Sequence, residues 1–483
     1  MALSFPASSL RAENLVFWPL ALLLVWVPVP LGSNRPWAWS VLEIAVFVLV
    51  AAWLVLWAIG RAEVGDGLRH GRPALAVLGV WLLYLGAYVM PLPPGWVELL
   101  SPEAARMQHL TDILGVEREW MTLSVDPAAS RAFLLKSLAY AGVFFLLLAL
   151  VNNRSRLLDL ARVMVYAAVI HAIIAILMHL ADMTEEQFGT VIRHGRDASG
   201  AYVNRNHFAG YLEMTLAIGI GLLIAGLSDR RAGTWKRFVS NVIEWILSPK
   251  MVLRLSLCIL VIALTTTHSR MGNTAFFSAL LIAGVIGIVL SRHATRNTVI
   301  LLVSLVVIDL AIVGSWFGVE KLAQRFEQTT MEDVQIREEP GLHTLGIIKD
   351  YPVFGAGPGT FYTTFPRYRP ESITNFFDFA HNDYAQFAAE TGLIGLGLMG
   401  LFVAMTLATA LMAQWQRRDP LMRGMSFACI MGVTPILIHS WVDFNLQIPA
   451  NAVYFMVLLA LGWISLHLDR HTVDVPRRRE AAG

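Results

Sequence analysis

The stretch Phe379-Ala380-His381-Asn382-Asp383-Tyr384 closes the longest hydrophilic segment of the chain and opens onto an apolar run. Polar and ionisable groups at the mouth of a membrane helix are costly to desolvate, and they are kept there for chemistry or for substrate passage. A histidine near neutral pH can take a proton from a hydroxyl nucleophile, and a carboxylate such as Asp383 or Glu390 can orient its ring. A capping box is the plainer alternative, with Asn382 or Asp383 as the cap and His381 merely adjacent.

Three further clusters hold cations that could meet an anionic substrate. In Asn204-Arg205-Asn206-His207, Asn and His at a helix entry can cap free N–H groups. Arg205 fits less simply, because a helix N-terminus already carries partial positive charge and suits a phosphate better than a cation. In Thr265-Thr266-Thr267-His268-Ser269-Arg270, a short turn between two apolar spans, Arg270 either snorkels to the membrane surface or grips a phosphate bidentately. The long hydrophilic segment adds Arg325, Arg337, Lys349, Arg367 and Arg369. Around Arg337 the run Glu332, Asp333, Glu338 and Glu339 offers ordinary surface ion pairs, worth little. Arg367 and Arg369 have only Glu371 as an acidic sequence neighbour, and Tyr362 and Tyr368 interleave them, a mixture that suits sugar faces and phosphates together. The glycines from Gly355 to Gly359 permit close backbone approach, but the run is too short and proline-interrupted for a nucleotide loop.

What must position these residues is a membrane bundle. Of 483 residues 56% are hydrophobic and 15% charged, at a net charge of +2. That excludes an ordinary soluble protein and predicts an all-α polytopic membrane protein. Runs of roughly 20 apolar residues fall near 14–32, 38–60, 73–92, 132–151, 157–180, 207–226, 252–267, 273–291, 298–318, 391–413, 424–441 and 449–467, about 12 helices. The first run lacks a cleavage site, since Pro28, Pro30 and Pro36 crowd its end, and is expected to be retained. Arg61, Arg69 and Arg72, Arg154 and Arg156, Arg230 and Arg231, Arg292 and Arg296, Arg417 and Arg418, and the tail Arg477 to Arg479 all fall in alternate loops. The positive-inside rule makes that face cytoplasmic and puts both termini there.

Three larger segments then lie on the outer face, about 93–131, 181–206 and 319–390. The last, between the ninth and tenth spans, is too long for a simple connection and predicts short helices joined by turns. The expected organisation is 1–206, N-terminal helices with two outer loops; 207–318, central helices; 319–390, the outer loop segment that carries the chemistry; 391–470, C-terminal helices; and 471–483, a cytoplasmic tail. Cys258 and Cys429 lie in apolar runs and read as small buried hydrophobes, not a disulfide framework. Glu43, Lys136, His171, Glu213, Asp309, His439 and Asp443 fall within or near spans, scattered along the chain, where single charges mark ion paths or lock helix packing. No metal-ligand spacing or nucleotide loop is present, so no metal, cofactor or nucleic-acid partner is expected.

Arg270 after a serine, Asp350-Tyr351-Pro352-Val353-Phe354-Gly355 leading to Gly359-Thr360-Phe361, and His381-Asn382-Asp383-Tyr384 followed by Glu390-Thr391-Gly392 resemble the O-antigen ligase and polymerase superfamily of bacterial membranes. The resemblance is best between about 200 and 400; Gly341 stands where the family often has tryptophan. It implies a metal-independent, inverting glycosyltransferase on the periplasmic face of the inner membrane. The donor would be an undecaprenyl diphosphate-linked glycan and the acceptor a sugar hydroxyl on another lipid-linked glycan or on lipid A–core, with membrane lipids around it. By position, Arg270 and Arg337 resemble the arginines that grip the donor diphosphate, and His381 the base that activates the acceptor. Arg205, His207, Arg367, Arg369 and Asp383 are candidates for substrate binding. A diphosphate leaving group gathers negative charge as the glycosidic bond breaks, and fixed arginines can stabilise it.

The arginines and histidine are shared by ligases and polymerases. A polymerase must hold two lipid-linked substrates, and the extra outer cations tilt the expectation toward polymerisation of O-antigen or exopolysaccharide units over ligation. A transporter or flippase is the rival from another class; it would carry polar residues along a mid-membrane path, which is sparse here.

Overall fold

The computed structural model describes residues 7–110, 119–187, 190–193, 197–226, 249–290, 300, 303–304, 307, 331–371 and 376–468, with side chains left aside at 7–11, 185–193, 249–250 and 331–339. Long helices dominate it, all apolar but the polar α9: α1 (Ala7–Trp26), α2 (Pro36–Ala58), α3 (Arg72–Ala87), α4 (Pro127–Leu150), α5 (Arg154–Leu180), α6 (Arg205–Ala225), α7 (Pro249–Thr266), α8 (Arg270–Leu290), α9 (Met331–Asp350), α10 (Asp383–Gln416), α11 (Pro420–His439) and α12 (Pro449–His467). Among the described residues eight helices are long and apolar enough to cross a membrane, and three shorter ones are apolar. The chain is an all-helical polytopic membrane protein, as its composition requires. The expected span at 298–318 and Asp309 lie outside the described residues, apart from isolated positions. One antiparallel hairpin, β1 (Thr184–Gln187) with β2 (Thr190–Arg193), interrupts the helical pattern.

Sequence sets the helix starts. Asp126 accepts from Ala128 N and Ala129 N to cap α4, Asn153 from Arg156 N to cap α5, and Asp419 from Leu421 N to cap α11, with Pro127 and Pro420 opening the first turns. Pro28 and Pro30 stop α1 at Trp26, short of the expected end at 32. In α9, by contrast, Pro340 does not break the helix, which runs 20 residues, while the expected short helices do follow the glycine turn, at Phe361–Thr364 and Phe365–Arg367. Cys429 is buried as expected, whereas Cys258 is exposed on the flank of α7, where lipid and not a protein core would meet it.

α6 and α12 form the centre, each 94% buried across its apolar window, while α2 and α10 keep most of theirs outward. α6 runs along α11 at close range. Added methyl groups at Gly221 or Gly424 would overlap the other's carbonyl oxygen, so the two backbones touch there through small residues, a common device where helices associate in lipid.

The two ends of the bundle differ. At one end, Glu13 on α1 receives Arg156 Nη1 at 2.6 Å and Asn152 Nδ2 at 3.1 Å, and Arg154 pairs with Asp419. At the other end lies a second apolar cluster, apart from the bundle core. It joins Tyr88 at the end of α3 and Val97, Met121 and Leu123 of the first hydrophilic segment to Ile347, Tyr351, Phe361 and Phe365 of the third. This layer rests on the bundle and carries the candidate site.

Candidate functional site

α10 is set in place by an unusual joint. Its helix runs from Asp383 but breaks its geometry at Gly392, where φ is 65° and ψ −178°. The turn Tyr351–Gly359 inserts there and takes up the backbone groups that the break sets free. Leu393 N donates to Pro352 O at 3.0 Å, Ala356 N to Ala389 O at 2.9 Å and Gly357 N to Glu390 O at 2.9 Å. The Thr391 carbonyl accepts from Tyr84 Oη at 2.7 Å, and Tyr88 Oη donates to Phe354 O. A side chain at Gly355 or Gly392 would overlap the facing backbone, and both have positive φ, so only glycine serves. Glu390 completes the joint: its carboxylate accepts from Gly359 N at 2.9 Å, Phe361 N at 3.1 Å and Gln386 Nε2 at 3.2 Å. The Asp-Tyr-Pro turn and the Glu-Thr-Gly run are therefore two halves of one structural element. Glu390 braces it and does not face His381.

His381 sits immediately before α10, whose N-cap is Asn382, accepting from Ala385 N at 2.9 Å. The capping expectation is met by Asn382, which leaves the role of His381 open. Its backbone is in the left-handed region, φ 52°, uncommon for a residue other than glycine and frequent at functional sites. The ring lies edge-on to Phe444 at 4.8 Å and to Phe377 at 5.9 Å.

The same Phe444 ring meets His207 at 4.5 Å, so His207 and His381 have one aromatic neighbour in common although 174 residues of sequence separate them. His207 lies in the first turn of α6, behind its N-cap Asn204. Its Nε2 is 3.3 Å from Asp443 Oδ1. Asp443 lies outside the spans; burial raises its pKa, but the hydrogen bond from His207, the nearby His207 and His439 rings and the Phe444 amide together outweigh it and hold the carboxyl well below the usual range.

Behind this pair the structure gathers ionisable groups that look scattered in sequence. His439 Nδ1 meets Glu213 Oε1 at 3.2 Å, and its Nε2 comes within 4.0 Å of Asp443 Oδ2. Glu213 and His439 are fully buried, Asp443 is 1% exposed and His207 4%. Glu43, Lys136 and Glu390 form another electrostatic group, with the Lys136 ammonium 4.9 Å from the Trp39 ring centre. Sequence separation hid both groups, because partners on different helices have no spacing signature.

The cations distribute unevenly. Arg205 finds its anion within the chain: Nη1 lies 2.5 Å from Asp197 Oδ2, and His268 Nδ1 is 3.2 Å from Asp197 Oδ1. His268 is two residues before Arg270, the exposed first residue of α8, so Arg205 and Arg270 flank one short cluster near the start of α6. Arg337 lies in α9 and its side chain is outside the described residues, as is Arg325 altogether. Its backbone is placed: Gly341, one helical turn later, is in ordinary contact range of Ala380 and Asn382, where an added methyl would sit 3.6 Å from the Ala380 oxygen.

Arg367 is not short of acidic neighbours. It pairs with Glu103 of the first hydrophilic segment, which Arg106 also grips at 2.6 and 2.7 Å, and it ties the two segments together at the surface. Arg369 is exposed beside it. Asp383 turns inward: Oδ2 accepts from Ser440 Oγ at 2.9 Å and Leu446 N at 3.1 Å, holding the connection between α11 and α12.

Behind Asp383 an apolar cavity of about 440 Å³ descends between α3, α4, α10, α11 and α12, with Lys136, Ser137, Tyr140, Ser440 and Gln447 among its few polar walls.

A helical membrane bundle with a packed apolar layer at the His381 end is the frame of this site. Residues 255–400 match the family model of the O-antigen ligase, which supports the resemblance to the O-antigen ligase and polymerase superfamily and a function of that general type. The matched stretch contains Arg270, Arg337, Arg367, Arg369, His381 and Asp383, but not Arg205 or His207. No curated protein matches the chain.

Proposed function

We propose that this protein is a glycosyltransferase of the bacterial inner membrane, with both termini cytoplasmic and the His381 end in the periplasm. It takes glycan from an undecaprenyl diphosphate donor and joins it to a sugar hydroxyl, without a metal and with inversion at the anomeric carbon. The observation that carries this reading is the meeting of the matched family segment with the His381 end. His381, Arg270 and the α9 turn after Arg337 all belong to residues 255–400, and Ala380 and Asn382, the chain neighbours of His381, lie beside Gly341 of that turn.

In this reading His381 takes the acceptor proton as the new glycosidic bond forms. Arg270 and Arg337 bind the diphosphate that leaves, where their charge matters most in the transition state. Arg205, His207, Arg367, Arg369 and Asp383 are the candidates around it. Arg205 and Arg367 already have carboxylate partners, so each would exchange or share its partner to reach a phosphate. The cavity below Asp383 suits the isoprenoid chain of a lipid-linked substrate. The arginines of the opposite end, Arg154, Arg156 and Arg417 among them, favour that end as cytoplasmic.

Polymerisation of O-antigen or exopolysaccharide repeat units is the preferred activity, because the cations around Arg205 and Arg367 would help hold a second lipid-linked substrate; ligation to lipid A–core is the alternative. The test is complementation of a glycan-assembly-deficient strain with wild type, His381→Ala and Arg270→Ala at matched membrane abundance, reading chain length on lipopolysaccharide and on the lipid carrier. Long chains stranded on the carrier in the variants make it a ligase; single repeat units make it a polymerase. Full activity in both variants would overturn the reading and bring transport forward.

A further inference from the structure

Phe444 lies in the connection between α11 and α12, outside every motif of the sequence, yet it is held with unusual care. Asp443 accepts from the Phe444 amide at 2.8 Å and from His207 Nε2 at 3.3 Å. From the other side, Asp383 accepts from Ser440 Oγ and Leu446 N, and its own amide donates to Ser440 O at 2.9 Å. Two buried carboxylates thus clamp the nine-residue connection, with the His439–Glu213 pair beneath them. Burying so many ionisable groups to anchor one turn is costly, and apolar packing would fix a mere turn at less expense. What the clamp fixes is the Phe444 ring. It stacks on Phe379 at 4.5 Å and 21°, and presents itself edge-on to His207 at 69° and to His381 at 80°.

His381 needs such a seat. Its left-handed backbone is not one that an L-residue adopts by local preference, so neighbours must hold it there. Phe377 closes on one part of the imidazole and Phe444 on another.

We propose that Phe444 is a positioning residue for His381, and that Asp443 and Asp383 act through it by holding its ring. This rests on His381 being the base. In that step the acceptor O–H gives its proton to the His381 imidazole while the acceptor oxygen bonds to the anomeric carbon. The bond from that carbon to the phosphate oxygen breaks, and its electron pair leaves on the diphosphate. Phe444 touches none of the reacting atoms; it sets the ring plane from which His381 reaches them.

The experiment compares wild type, Phe444→Leu, Phe444→Tyr and His381→Ala as full-length proteins in isolated membranes. The probe is the host's own lipid-linked glycan, radiolabelled, and turnover is counted per molecule of enzyme. Misplacement by about an ångström is enough to cost on the order of a hundredfold in rate. Phe444→Leu is therefore expected to lower kcat by roughly ten- to a hundredfold with KM within about twofold of wild type, and Phe444→Tyr, which keeps the ring, to recover most of it. If the leucine variant does not accumulate, Asp443→Asn takes its place with the same expected split. Wild-type turnover per molecule in Phe444→Leu, with His381→Ala inactive, overturns this proposal alone. Full turnover in His381→Ala overturns the assignment of the base, and this proposal with it.

Discussion

Arg205 closes on Asp197 at 2.5 Å, and the other oxygen of the same carboxylate meets His268 at 3.2 Å. The approach to α6 is thereby tied to the turn before α8, with Ala198 N donating to Thr266 O at 3.0 Å as a second tie. Burial raises the Asp197 pKa, but the hydrogen bond from His268 and the Arg205 guanidinium outweigh it and hold the carboxyl below its usual range. A depressed folded-state pKa stabilises the protein fully above the unfolded carboxylate value, near pH 4, and that contribution is lost as pH falls through the folded value. The thermal midpoint of the detergent-solubilised protein should fall between about pH 5 and about pH 3. Asp197→Asn should show a lower midpoint at pH 7 and less of this acid loss. An identical acid limb in both proteins would assign it elsewhere.

Glu390 accounts for two buried donors, Phe361 N and Gln386 Nε2, and for the partly buried Gly359 N. Leaving a buried donor unpaired costs about 1–3 kcal/mol. Glu390→Ala should therefore reduce stability by a few kcal/mol, seen as a lower unfolding midpoint and reduced abundance. Glu390→Gln keeps one acceptor oxygen and should fall between. Catalytic turnover per folded molecule should change far less than abundance in either variant, because the carboxylate braces the joint and does not reach His381.

The spans and the caps were legible because hydropathy and capping chemistry are local: Asn382, Asn204 and Asp126 sit where their side chains cap the helices that follow. His381 was legible as a polar residue at a helix mouth. Partner choice was not. Arg367 finds Glu103 across 264 positions, and Glu213, His439 and Asp443 meet from two helices and a connection. Such pairings follow from how helices pack, which no spacing rule encodes. Phe444 carried no signal at all, since a lone phenylalanine in an apolar region looks like any other core residue. The break at Gly392 left one trace, a glycine after Glu390-Thr391, but its positive φ depends on the inserted turn around Val353.

That break makes a sharp prediction. Gly392 occupies a backbone region, φ 65° and ψ −178°, that is essentially reserved for glycine, and an added methyl would overlap Val353 O. Gly392→Ala should fail to accumulate in membranes. Gly397→Ala is the control: it lies one to two turns further along α10 with no atom within 4 Å of an added methyl, so it should be neutral or gain up to about 1 kcal/mol from better helix propensity. Equal abundance of the two variants, measured by immunoblot, would contradict the joint described here.

The end opposite His381 offers the last contrast. Arg154 and Arg156 share one loop and one sign in the sequence, yet their surroundings differ. Arg154 pairs with Asp419 while nearly half exposed, a setting in which an ion pair contributes about 0–1 kcal/mol. Arg156 is buried against Glu13, and also donates to Leu150 O at 2.9 Å and Asn14 Oδ1 at 2.9 Å. Removing one partner of a buried pair leaves the other charge uncompensated, at about 3–5 kcal/mol. Arg156→Ala should therefore lower the unfolding midpoint severely and Arg154→Ala barely, although both remove one positive charge from the first turn of α5. Replacing Glu13 and Arg156 together by Gln and Met should recover much of the loss, because no lone charge remains buried. If instead Arg154→Ala and Arg156→Ala behaved alike, with the double replacement no better than either, the positive charge of that turn and not the buried pair would be what stabilises this end.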